Sequence, residues 1–179
     1  DTKAMKKIAL IDLDNTIVDY YRALITGIMP LGIRGYNDYG FKAAQKLVTA
    51  YPGFYTDLKT IPVGARILNL LLESDYECQF LTKGPNNPNS WKEKVEWRNA
   101  NYPDIKITIT EDKSNVYGDI LVDDWPSYTK AWQARFTNGR VLMPSWSWNE
   151  ETVSGPKLLK NHDETPMKDI TEWISNAHI

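Results

Sequence analysis

Two aspartates stand two apart in Asp12-Leu13-Asp14-Asn15-Thr16, and a second acidic pair, Asp123-Asp124, lies far downstream. Each pair closes an apolar run, Lys7-Ile8-Ala9-Leu10-Ile11 in the first case and Ile120-Leu121-Val122 in the second. At the end of a strand the second carboxylate of an Asp-x-Asp can lie in a turn, with its backbone near the first. Like charges a few ångströms apart repel strongly in low dielectric, so such a pair requires a cation. An all-oxygen donor set suits Mg²⁺, which takes one or two carboxylates and leaves places for waters and phosphate oxygens. Thr82, after a further apolar run, offers a hydroxyl and a backbone N–H to an anion, and Lys113 offers a positive charge. His162 and His178 are the only histidines and fall outside this constellation, which argues against a histidine-based catalyst. Each feature alone is bland. An Asp-x-Asp is common, Asp123-Asp124 alone reads as a turn or helix cap, and an isolated Thr82 or Lys113 says little. The weight comes from order and placement, because all of them fall at strand ends or in the loop before one.

The elements that must position these residues follow from periodicity. Short apolar runs predict strands over Lys7–Leu13, Tyr76–Leu81, Ile105–Ile109, Asp119–Val122 and Arg140–Met143. Helical spacing and proline or glycine punctuation predict helices over Tyr20–Met29, Phe41–Ala50, Pro62–Ser74, Ser90–Ala100, Pro126–Arg135 and Met167–Ala177. Strands alternating with helices imply an α/β fold, a Rossmann-like parallel sheet flanked by helices. In such sheets ligands bind outside the carboxyl ends of the strands, which is where the acidic clusters fall. The two helices between Asp14 and Pro52 interrupt the alternation and read as a small helical cap, about residues 20–60, inserted after the first strand. Residues 1–179 are expected to form one domain, and the loop 144–166 shows little pattern beyond Trp146 and Trp148.

Composition narrows the function class. At 179 residues the chain can bury a full core without disulfides or metal, and its hydrophobic (42%) and charged (25%) fractions exclude a disordered or collagen-like protein. A net charge of −2 provides no positive field for long nucleic acid. The single cysteine, Cys78, cannot form an internal disulfide. No apolar run is long enough to span a membrane and no signal-peptide pattern opens the chain, so a cytoplasmic location is expected. Seven Trp and ten Tyr are many for a chain of this size and suggest packing plus a surface on which a flat ligand stacks.

Taken in order, these motifs resemble those of the haloacid dehalogenase superfamily of aspartate-nucleophile phosphatases. Asp12-Leu13-Asp14-Asn15-Thr16 resembles its first motif, Thr82 the second, Lys113 the third and Asp123-Asp124 the fourth. A narrower resemblance is to the 5'(3')-deoxyribonucleotidases, over about residues 7–145. It rests on Pro52-Gly53-Phe54-Tyr55, on Ile61-Pro62-Val63-Gly64-Ala65, on Phe80-Leu81-Thr82, on the Trp91 to Trp97 helix, on Thr110-Glu111-Asp112-Lys113 and on Asp123-Asp124-Trp125-Pro126. The chain departs from that pattern at Asn15 (usually Gly), at Lys83-Gly84 and at Trp125 (usually Arg), and the segment from Tyr21 to Ala50 matches only loosely.

The resemblance implies a Mg²⁺-dependent phosphatase hydrolysing deoxynucleoside monophosphates through an aspartyl-phosphate. Asp12 would be the nucleophile and Asp14 the general acid and base. Mg²⁺ would be held by the Asp12 carboxylate, the Asp14 main-chain carbonyl and Asp123, with Asp124 supporting the metal shell. Thr82 and Lys113 would hold the phosphate, with Lys92 or Lys94 as a further cation. Tyr20 matches an aromatic that stacks near the base, and plain packing at the cap hinge is its other reading. The expected partner is a small phosphorylated substrate, with no membrane and no long nucleic acid, and homodimerisation is left open. Two alternatives stand beside this. One is another phosphatase of the superfamily, acting on a polynucleotide 3'-phosphate or a sugar phosphate. The other is a non-catalytic nucleic-acid-binding module stacking bases on Trp91, Trp97, Trp125, Trp146 and Trp148.

Overall fold

The computed structural model describes residues 5–34, 37–149, 157–159 and 167–176. His162, His178 and much of the loop 144–166 lie outside the described residues. Strands β1 (Lys7–Ile11), β2 (Tyr76–Lys83), β3 (Lys106–Thr110), β4 (Ile120–Val122), β5 (Arg140–Pro144) and β6 (Lys157–Leu159) form one sheet in the order β3-β2-β1-β4-β5-β6. Every neighbouring pair is parallel. The helices are α1 (Tyr20–Ile28), α2 (Phe41–Thr49), α3 (Pro62–Glu73), α4 (Pro88–Asn101), α5 (Pro126–Arg135) and α6 (Met167–Ser175).

A parallel sheet covered on both faces needs apolar residues on both sides of each central strand, and β1 supplies them by alternation. Leu10 points to one side and packs with Leu81, Leu121, Val141, Met143 and Trp132 of α5. Ala9 and Ile11 point to the other and join Phe80, Val122, the α3 residues Ile67, Leu68 and Leu71, and Trp97 of α4. Helices α1 and α2 form a smaller cluster of their own, Leu24, Ile28, Phe41 and Ala44, to which Tyr20 and Phe54 connect the main core. Proline starts α3, α4 and α5 at the first turn, where the missing N–H costs nothing. No helix of the described residues is long and apolar enough to cross a membrane.

Beyond ends that differ by one or two residues, such as β1 stopping at Ile11 rather than Leu13, three details differ from the expectation. A sixth strand, β6, pairs with β5 in the register Leu142↔Lys157. Three residues at a sheet edge are too few to show a period, so the sequence pattern passes over it. Strand β2 continues through Thr82 to Lys83, with Thr82 opposite Ile109, so Thr82 lies inside the ladder rather than in a turn beyond it. Helix α4 starts at Pro88, two residues before Ser90, because Asn87 caps it by accepting the Asn89 N–H.

Candidate active site

The chain adds β2 and β3 to one side of β1 and then returns to place β4 on the other. The strand order therefore reverses between β1 and β4, the position where an open α/β sheet leaves a crevice at its carboxyl edge. Asp12 leaves β1 there, and its backbone N–H donates to the Val122 carbonyl at 2.8 Å. Asp123 and Asp124 leave β4 beside it. Carboxylate oxygens of Asp12, Asp123 and Asp124 lie within 4.8 Å of one another, all three residues buried.

The turn after Asp12 is tight. The amides of Thr16, Ile17 and Val18 all donate to the Leu13 carbonyl, and Asn15 takes φ 62°. Asparagine tolerates this left-handed conformation better than most side chains, so it serves where glycine would otherwise be favoured. Its side-chain oxygen accepts the Tyr21 N–H at 2.7 Å, which couples the turn to the start of α1. Helix α3 crosses the turn so closely that a Cβ on Gly64 would stand 2.1 Å from the Thr16 carbonyl oxygen.

Two buried lysines meet the acids. Lys113 donates to Asp12 Oδ1 at 2.7 Å and to Asp123 Oδ2 at 2.6 Å. Lys94 donates to Asp14 Oδ2 at 2.9 Å, to Thr82 Oγ1 at 2.8 Å and to the Lys83 carbonyl at 2.9 Å. Burial opposes charge on the acids. It pushes Asp123 up to about 7, with the Asp12 charge adding and Lys113 opposing. Burial, then the charges of Asp12 and Asp123, raise Asp124 well above the usual carboxylate range. Burial also raises Asp14, against the pull of Lys94. Burial alone would lower Lys113, but its two carboxylate partners more than offset this and hold its ammonium charged.

These residues fit a divalent cation. Four carboxyl groups face two ammonium groups here, and the upward shifts of Asp14, Asp123 and Asp124 mark a site short of positive charge. The donors are all oxygen, the set that suits Mg²⁺. Asp14 Oδ1 is buried with no hydrogen-bond partner among the described residues, so it is available to a bound molecule.

Asp12, Asp14, Asp124, Lys113 and Tyr20 all line one cavity of about 550 Å³. Thr82 and Asp123 lie behind its wall, both wholly buried. The Thr82 hydroxyl accepts from Lys94, which leaves its own O–H as a donor. Asp124, expected as a supporting residue, brings its carboxylate into the same group as Asp12 and Asp123, whereas the Asp14 side chain turns away towards Lys94. Between the two candidate lysines of α4, Lys94 faces the site, while Lys92 is exposed and pairs with Glu96 at 3.5 Å. Tyr20 both packs and lines the cavity, stacked on Tyr55 at 6.1 Å, with its hydroxyl accepting from Gln45. Of the tryptophans, Trp125 lines the cavity, Trp97 is buried in the core, and Trp146 and Trp148 stack on each other at 4.7 Å.

The sequence reading gave no site role to Glu93, Tyr55, Phe41 or Gln45. Glu93 is buried and accepts from the Gly53 and Tyr55 amides and from Asn89, holding in place the segment that carries Tyr55 to the cavity wall. The available signal was negative: α4 carries no apolar stripe, so some of its charged residues had to face inward.

Residues 42–153 match the sequence model of the family described as 5' nucleotidase, deoxy (pyrimidine), cytosolic type C protein. No curated protein matches the chain significantly. Among solved structures, a protein described as a haloacid dehalogenase-like hydrolase from Burkholderia xenovorans superposes with a TM-score of 0.59 at 12% identity, over 96% of this chain and 98% of that one. A haloacid dehalogenase-like family hydrolase from Streptococcus pneumoniae gives 0.58 at 14% identity, over 88% and 95% of the two chains. CbbY from Rhodobacter sphaeroides, solved in complex with phosphate, gives 0.55 at 12% identity, over 89% and 96%. At such identities these likenesses establish the haloacid dehalogenase fold.

Proposed function

Because the chain belongs to the 5' nucleotidase, deoxy (pyrimidine), cytosolic type C family of haloacid dehalogenase-type phosphatases, we propose that it hydrolyses deoxynucleoside monophosphates to nucleoside and phosphate with Mg²⁺. The observation that carries this is the cavity. Its floor is the Asp12–Asp14 turn, and Tyr20, Phe41 and Tyr55 supply an aromatic wall where a nucleobase could stack. Its volume of about 550 Å³ is of the size that encloses a small ligand. The family description is also the basis for proposing a pyrimidine substrate and a cytoplasmic location.

Asp12 attacks phosphorus in line, and the new P–O bond forms as the bond to the nucleoside oxygen breaks. Asp14 delivers its proton to that leaving oxygen, a role suited to a carboxyl that burial holds towards its protonated form. Water then attacks the phosphorus of the aspartyl-phosphate. Asp14 takes the water proton, and Asp12 leaves as a carboxylate. Asp12, Asp123 and Asp124, with the main-chain carbonyl of Asp14, would hold Mg²⁺, which when bound neutralises charge between nucleophile and phosphate. Lys113 orients Asp12, and Lys94 ties Asp14 to Thr82 and to the Lys83 carbonyl of β2.

The test is inorganic phosphate release from dUMP, dTMP, dGMP, UMP and 3'-dUMP, with Mg²⁺ or EDTA, using Asp12→Asn as the control. Mg²⁺-dependent release from deoxynucleoside monophosphates, absent in the variant, is expected. Release from p-nitrophenyl phosphate alone would discard the nucleotide, and full activity of Asp12→Asn would discard the mechanism.

A further inference from the structure

The five residues after β5, Ser145-Trp146-Ser147-Trp148-Asn149, reach across the carboxyl edge of the sheet to both acid-bearing turns. The Trp146 indole N–H donates to the Asn15 carbonyl at 2.8 Å, on the turn that presents Asp14. The Trp148 indole N–H donates to Asp124 Oδ2 at 3.0 Å. The two rings are nearly parallel, 9° apart with centroids at 4.7 Å, and Tyr21 packs against both. Asn149 secures the base of the turn. It is wholly buried, its amide donates to the Asp124 and Pro144 carbonyls at 2.9 and 2.7 Å, and its oxygen accepts the Trp146 N–H at 2.8 Å.

We propose that Trp148 and Trp146 are positioning residues, a paired clamp that fixes the Asp124 carboxylate for the metal and holds the Asp12–Asp14 turn in register with it. Packing alone would be satisfied by any two stacked aromatics. It does not account for both indole N–H groups ending on the two acid-bearing turns, one of them on a buried carboxylate oxygen. The carboxylate that Trp148 holds by Oδ2 is the one grouped with those of Asp12 and Asp123. The stacked pair thus links the Asn15 turn directly to Asp124. Hydrogen-bonding partners of metal-binding carboxylates set their orientation, and their loss typically weakens metal affinity by about 10- to 100-fold. The clamp rests on the metal reading made above for this site.

The test uses Mg²⁺ alone on the full chain. Calorimetry is expected to give a Kd for Trp148→Phe about 10- to 100-fold weaker than wild type, because phenylalanine keeps the ring but loses the donor. Trp146→Phe, which leaves Asp124 its partner, should lower kcat more than it changes that Kd. Should the Trp148 variant fold poorly, the wild type is read by nuclear magnetic resonance of ¹⁵N-labelled tryptophan. The Trp148 indole N–H should shift on Mg²⁺ titration, while that of Trp132, bonded to the Val116 carbonyl, stays in place. A wild-type chain that binds no Mg²⁺ overturns the metal reading and the clamp together. Wild-type binding with an unchanged Kd in Trp148→Phe, or with an unmoved Trp148 resonance, overturns the clamp alone.

Discussion

Replacing Lys94 with methionine removes one ammonium and keeps most of the stem, so its effects trace to the charge. Lys94 is 3% exposed and its three donors go to Asp14, Thr82 and the Lys83 carbonyl. Removing one member of a buried ion pair typically costs about 3–5 kcal/mol. The Asp14 side chain is a quarter exposed and can take up a proton, which places the expected loss near the low end, about 3 kcal/mol at pH 8. The pH dependence has a definite sign. Burial already raises the folded-state pKa of Asp14 above its unfolded value, and Lys94 opposes that. Without Lys94 it rises further, so folding disfavours the ionised form more strongly. The penalty therefore grows as pH climbs past the unfolded value and shrinks as Asp14 is protonated. Once Asp14 is protonated the residual cost is the stranded Lys83 carbonyl and Thr82 hydroxyl, about 1–2 kcal/mol, so the deficit at pH 5 should be smaller than at pH 8. Urea unfolding in EDTA at pH 5 and pH 8, on wild type, Lys94→Met, Asp14→Asn and the double variant, measures this directly. The two substitutions should be non-additive at pH 8 by about 1–3 kcal/mol. An equal deficit at both pH values, with additive single effects, would refute the reasoning.

Gly64→Ala forces a Cβ to within 2.1 Å of the Thr16 carbonyl, and overpacking of this kind costs about 1–3 kcal/mol. A melting temperature lower by several degrees, with a fall in kcat as the Asp12 turn is displaced, is expected from thermal unfolding and a phosphatase assay. Burial pushes the Cys78 thiol up to about 12, so it should resist a thiol reagent at pH 8 until urea is added. The same shift makes stability fall as pH rises above about 8.5, the unfolded thiol value, and Cys78→Ala should remove that component from a pH series of melts. Asp14→Asn should slow substrates with poor leaving groups most, since they need the proton. Equal losses for a nucleoside monophosphate and p-nitrophenyl phosphate would count against Asp14 as the acid.

Much of the scaffold was legible because its signals are local. Lys7–Ile11 reads as a buried strand since both of its faces meet apolar layers, and Pro62 and Pro126 mark helix starts through the absence of one N–H. The acids were legible for the same reason, because each follows a strand whose end a parallel sheet uses for binding. The edge strand Lys157–Leu159 was not, since three residues carry no period.

What the chain by itself determined is a set of groups in or beside the carboxyl ends of the strands, Asp12, Asp14, Thr82, Lys113, Asp123 and Asp124, in the order on which the resemblance to the superfamily rests. What only the tertiary structure decided is which group faces which. Lys94, not Lys92, meets Asp14, although both sit on one helix, because the helix lays one flank against β2 and the other in water. Asp124 rather than the Asp14 side chain joins Asp12 and Asp123, because β4 runs beside β1 and the turn at Asn15 carries Asp14 towards α4. Trp146 and Trp148 carry no period at all, yet from a loop far along the chain their indole N–H groups reach the Asn15 carbonyl and the Asp124 carboxylate. Side-chain partners at such separations are set by how the layers pack, and no local spacing encodes that packing.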